Sequence, residues 1–202
     1  MSTSVEICNL ALIKVGSTRI SSLTGEGKTS ELCNALLQPT IDFILSRHDW
    51  RCARFRQALT QDATAPECEY DYRYQLPTNP YCLVVRAVQI GTEGLEFKDW
   101  VQEGRYIITN QDNEDEDLYL IYTGRVVDHT QLPPYLVQAV ADMMAWKLSY
   151  SLTPKAELRE VLKQDAVGPD GNGGSLLAAM QMEQSSGVQD DEGDTSWASE
   201  GR

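Results

Sequence analysis

The chain has 202 residues, is 42% hydrophobic, and sets 30 Asp and Glu against 17 Lys and Arg for a net charge of −13. That length suffices for one hydrophobic core but not for two equal ones, and that charge excludes a protein that grips nucleic acid by neutralising phosphates. No run of eighteen apolar residues offers a membrane span and no leader pattern opens the chain, so a soluble protein made in the cytoplasm is expected. Its five cysteines, Cys8, Cys33, Cys52, Cys68 and Cys82, are odd in number and widely spaced, which suits reduced thiols better than a disulfide framework.

In chain order, Ser2, Thr3 or Ser4 is placed to cap a first helix over 4–15, with Val5, Cys8, Leu12 and Val15 on its apolar face and Gly16 as its stop. The connector carries TGEGKTS, which has the look of a phosphate loop. It lacks the earlier glycine, since Ser22 stands there, and polar RISSLT replaces the apolar strand such a loop requires, so it is read as a capping loop. A second helix follows over 29–47, capped by Thr29 or Ser30, with Leu32, Leu36, Ile41, Ile44 and Leu45 in phase and Pro39 kinking it without ending it.

From Trp50 the pattern becomes alternating, and the middle third, 51–125, reads as β. Trp50–Phe55, Tyr70–Leu76, Cys82–Ile90, Phe97–Gln102, Tyr106–Thr109 and Leu118–Tyr122 are the predicted strands, with Gly104 in a hairpin turn. A meander covered on one face by the helices is the expected arrangement. The stretch LPPYLVQAVADMMAWKLSYSL then predicts the spine of the fold, a helix over 133–152 that starts on Pro133 and Pro134 and stops before Pro154. Leu136, Ala139, Val140, Met143, Trp146 and Tyr150 recur at helical spacing, and Met144 and Leu148 widen the stripe enough to require a helical partner and a sheet. A fourth helix over 155–166 places Leu158, Val161 and Leu162 on one side. The expected class is therefore α+β, a bundle of about four helices on a small antiparallel sheet within 1–166. At VGPDGNGG the glycine and proline density ends the body, and 167–202 reads as a linker and an extended acidic C-terminal arm.

No catalytic constellation is present, and no cofactor is expected. His48 and Cys52 have helical spacing without a second ligand pair for zinc. The acidic run DNEDED over 112–117 lacks the glycine and glutamate of a calcium loop and reads as a solvated hairpin tip.

Four segments in succession, ICNLALIKVGSTRISSL, LCNALLQPTIDFILSRHDWRCARFRQAL, YRYQLPTNPYCLVVRAVQI and LPPYLVQAVADMMAWKLSYSLT, resemble the head-to-tail adaptor proteins of tailed bacteriophages, the tail tubular protein A type. The resemblance spans about residues 5 to 160 and departs from that type at Arg51 and Cys52, where a less polar pair is more usual, and in the acidic tail. It implies a structural virion protein and no enzyme: a ring, commonly of twelve copies, at the head-tail junction beneath the capsid portal. Its partners would be the portal protein, a tail or nozzle protein and other copies of itself, with DNA passing through the lumen without specific binding. By that analogy the arm supplies the portal anchors Leu176, Leu177, Met180, Met182 and Trp197, motivated also by apolar residues on a glycine-rich tether. The loop Asp112, Glu114, Asp115, Glu116 and Asp117 would face the tail or the lumen. A ring of twelve would carry about −150, which repels DNA phosphates and lets the genome slide. Two other readings fit the composition: an acidic module or chaperone for a basic partner, and a cell-wall glycan hydrolase, which would need a carboxyl with a strongly raised pKa.

Overall fold

The computed structural model describes residues 3–67, 69–91, 93–112 and 117–186. Its helices are α1 (Ser4–Val15), α2 (Lys28–Arg47), α3 (Pro134–Leu152), α4 (Ala156–Val167) and α5 (Gly174–Ser185). Its strands are β1 (Arg54–Ala58), β2 (Tyr72–Gln75), β3 (Cys82–Ile90), β4 (Leu95–Phe97), β5 (Val101–Glu103), β6 (Tyr106–Thr109) and β7 (Leu118–Gly124). The fold is α+β, as the residue pattern predicts.

The spine is α3. It is bracketed as its prolines require and contacts α1, α2, α4 and α5, so its buried residues run nearly all the way round, from Leu136 and Val137 to Met144 and Leu148. A sheet partner is not what fills the wide stripe: the helix-to-sheet contact is carried by α2 and β3, and the extra surface of α3 is covered by a fifth helix. Tyr150 and Val161, expected inside, are exposed. Thr3 caps α1 in a reciprocal capping box with Glu6, while α2 starts from Gly27 without a side-chain cap, one residue ahead of the expected start. Pro39 lies within α2, which continues because Leu37, Ile41, Ile44 and Leu45 keep one face buried on both sides of it. The Cys8 and Cys33 thiols meet between α1 and α2, and the hydrogen bond to Cys33, with burial behind it, pushes the Cys8 thiol up.

The β region is two antiparallel sheets rather than one meander, ordered β1-β7-β3-β4 and β2-β6-β5. Their own core is formed by Tyr74, Ile107, Leu118, Leu120 and Tyr122 with Val88 and Leu76. The strand expected to begin at Trp50 does not. Trp50 is fully buried in the helical core, its Nε1–H donating to the Ile44 carbonyl at 2.9 Å, and Arg51–Ala53 form a 3-10 turn before β1 starts. Arg86 of β3 joins the two halves. Its guanidinium donates to the His48 carbonyl at 2.6 Å, at the C-terminal end of α2 where a cation is favoured, and to the Thr123 hydroxyl at 2.8 Å.

Candidate functional site

The segment read as an arm is, from Gly174 to Ser185, a helix laid on α3 and α4. The boundary at residue 166 is therefore corrected: the helical body runs on to Ser186, and VGPDGNGG is a close turn between packed helices. The glycine density is required by proximity. A Cβ on Gly174, at φ +64°, would stand 2.5 Å from the Asp165 carbonyl oxygen, and one on Gly168 would stand 2.7 Å from Gly173 Cα. Ordinary chain flexibility does not explain such contacts.

This placement divides the expected anchors. Leu176, only 4% exposed, belongs to the core, and Met180 packs partly buried against it. Leu177 and Met182 are 40% and 54% exposed on the outer side of α5. Trp197 lies outside the described residues. The signal available in the sequence was the spacing of Leu176, Ala179, Met180 and Glu183, which share one helical face.

What holds α5 down is a polar latch around Glu183, 5% exposed. Its carboxylate accepts from the Arg51 backbone N–H at 2.8 Å, from Arg51 Nε at 3.0 Å and from the Tyr135 hydroxyl. The Arg51 guanidinium also donates to the Ser186 carbonyl at 2.9 Å, capping the end of α5. Burial raises the Glu183 pKa, yet the bonds from Tyr135 and Arg51 outweigh it and the carboxyl lies below its ordinary value. Burial, then Glu183, pushes the Tyr135 phenol up to about 12, and burial pushes Cys52 up to about 11. Arg51 is thus explained by a partner 132 residues downstream.

Of the acidic stretch, Asp112 and Asp117 are described, next to the start of β7. Asp112 and Asp117 flank the β6–β7 connection, and Glu114, Asp115 and Glu116 lie outside the described residues. Its base is fixed: the Gly91 N–H donates to the Asp117 carbonyl at 3.0 Å and the Tyr74 hydroxyl to the Gln111 carbonyl at 2.7 Å. Seven-residue β7 leads from this loop to Gly124, and Arg125 just beyond it pairs with Asp42 of α2 at 2.7 Å. A strand of that length places loop and helices about 20 Å apart.

Between α1, α2 and the start of α3, His129 forms a buried junction. Its Nδ1 shares a hydrogen bond with the Ser4 hydroxyl at 2.8 Å and its Nε2 meets Gln38 Oε1 at 3.1 Å. Burial lowers its pKa below the ordinary 6.5, against the opposing pull of Asp128 and Asp42. A histidine kept neutral in the fold binds fewer protons than in the unfolded chain, so stability is full above pH 6.5 and falls as pH drops below it toward the folded value. Thermal melts between pH 7.5 and 5.5 should show this decline, and His129→Gln should flatten it. An unchanged slope in the variant would assign the decline to other groups.

Among the described residues no group of three or more His, Cys, Asp or Glu is arranged to hold a metal. No strand feeds TGEGKTS, and Lys28 directs its Nζ to the Ser151 carbonyl at 3.3 Å. Each described carboxyl with a displaced pKa, Asp62, Asp128 and Glu183, is displaced downward. No protein-family model matches the chain, and no curated protein does either.

Proposed function

We propose that this chain is a head-to-tail adaptor, a structural virion protein that assembles as a ring beneath the capsid portal and joins it to the tail or nozzle. The observation that carries the reading is the order of the resembling segments together with what they build. The first, second and fourth form α1, α2 and α3, which pack on one another with Trp50 buried among them, and the third forms β2 and β3. The described residues offer two separated places, apolar Leu177 and Met182 exposed on α5 and, at the end of β7 away from Arg125, Asp112 and Asp117. A protein that bridges two partners needs such a separation. The glycan-hydrolase reading needs a raised carboxyl, and among the described residues the displaced ones, Asp62, Asp128 and Glu183, shift the other way.

Sedimentation or native mass of the purified chain, alone and mixed with a portal ring, tests this. The expected result is a monomer that becomes a defined multiple on the portal, with Leu177→Asp/Met182→Asp weakening binding at least about tenfold. No association in either case would overturn the reading. A truncation meant to probe the tail must start after Ser186, because removing α5 would uncover α3 and α4.

A further inference from the structure

The strand β1 is an uncovered sheet edge. It pairs with β7 on one side only, and four of its five residues are exposed. Because the Leu59 N–H donates to the Leu118 carbonyl at 2.7 Å, the alternation of the antiparallel ladder turns the N–H and C=O groups of Phe55 and Gln57 toward β7. Those of Arg56 and Ala58 point away from it, with no strand beyond among the described residues. An edge of this kind is open to one more strand. In a chain of net charge −13 the edge is nonetheless basic: Arg54 and Arg56 share one face of the sheet. Arg54 has a distant partner in Asp49 at 3.6 Å, while no ion pair involves Arg56 among the described residues.

The end of α5 is held beside the start of this edge. Arg51, which binds the Ser186 carbonyl, lies three residues before Arg54, so the chain leaves α5 where β1 begins. Beyond Gly187 the sequence continues as VQDDEGD over 188–194, in which Asp190, Glu192 and Asp194 fall at alternate positions. Extended, seven residues span about 20 Å, enough for the length of β1. The geometry points to β1 as the docking strand for residues 188–194 of the same chain. The segment runs parallel to β1, its amides and carbonyls pair with those of Arg56 and Ala58, and Asp190, Glu192 and Asp194 lie on the Arg54 and Arg56 face. Period-two alternation brings the carboxylates to the arginine face together, and the pairing is parallel because both segments start from the Arg51–Ser186 contact.

Residue-level amide exchange by NMR on the full-length chain tests this, comparing it with full-length Asp190→Lys/Glu192→Lys/Asp194→Lys, whose changes come after Ser186 in the sequence. The Arg56 and Ala58 amides should be protected in the parent and exchange at least about tenfold faster in the variant, with α3 amides unchanged. Equal rates at Arg56 and Ala58 in the two proteins would overturn the proposal. Protection that fades when the parent is diluted would also overturn it, since the docked segment would then belong to another copy.

Discussion

Gly174→Ala should detach α5 from the helical body, at a cost of about 3 kcal/mol. Two effects act at that position. The φ of +64° is a left-handed conformation that alanine adopts at a cost of about 1 kcal/mol, and the new Cβ meets the Asp165 carbonyl oxygen at 2.5 Å and the Ala166 carbonyl carbon at 2.7 Å. Those are backbone atoms of α4, so no side chain can turn aside to make room. The relief available is for α5 to move, which withdraws Leu176 and Ala179 from the core and Glu183 from Arg51 and Tyr135. Gly171 provides the control. It has φ +77° with open space around its Cβ position, so Gly171→Ala should cost only the conformational part, about 1 kcal/mol. Urea unfolding of the two variants measures the difference, and limited proteolysis should cut near Ser186 faster in Gly174→Ala alone. Equal losses in both would mean that the close approach of the α4–α5 turn contributes nothing to stability.

That turn is also where sequence reasoning failed most instructively. Elements whose limits are set by local chemistry were legible: α1 from its cap candidates around Thr3 and its stop at Gly16, α3 from Pro134 and Pro154, and β3 from the mostly apolar stretch Cys82–Ile90. Features set by neighbours distant in the chain were not. A glycine required by a neighbouring backbone reads in one dimension like a glycine in a flexible linker, and Gly168, Gly173 and Gly174 were of the first kind. The division of the β region into two sheets depends on which strands pair, which alternation alone leaves open. In the candidate site, the helical phase of Leu177 and Met182 was present in the sequence. Their exposure, and the burial of Leu176, emerge only once α5 is seated.

Asp142 shows the same limit and supports the second large effect. By spacing it belongs to the polar side of α3, yet α1 packs against that helix and the carboxylate is buried, its side chain 5% exposed. It is paired with Lys14 of α1 and accepts from Gln138 Nε2 at 3.0 and 3.1 Å. Lys14→Met should cost about 3 kcal/mol, because it leaves a buried carboxylate with only an amide for company. Asp142→Leu should cost less, about 1 kcal/mol, because the Lys14 side chain, 33% exposed, can carry its ammonium to water. The double variant Lys14→Met/Asp142→Leu should recover most of the loss, ending within about 1 kcal/mol of the parent, since an apolar pair of similar volume needs no compensation for lost hydration. Urea unfolding of all four proteins gives the coupling directly. If Lys14→Met and Asp142→Leu cost the same and the double variant is their sum, the pair is an exposed one in effect and α1 is held by its buried apolar residues, Ile7, Cys8, Ala11, Leu12 and Val15. The expected asymmetry arises from which partner can reach solvent when left unpaired, and it makes α1, through a single surface-reaching lysine, the element that permits α3 to carry a charge in the middle of the bundle.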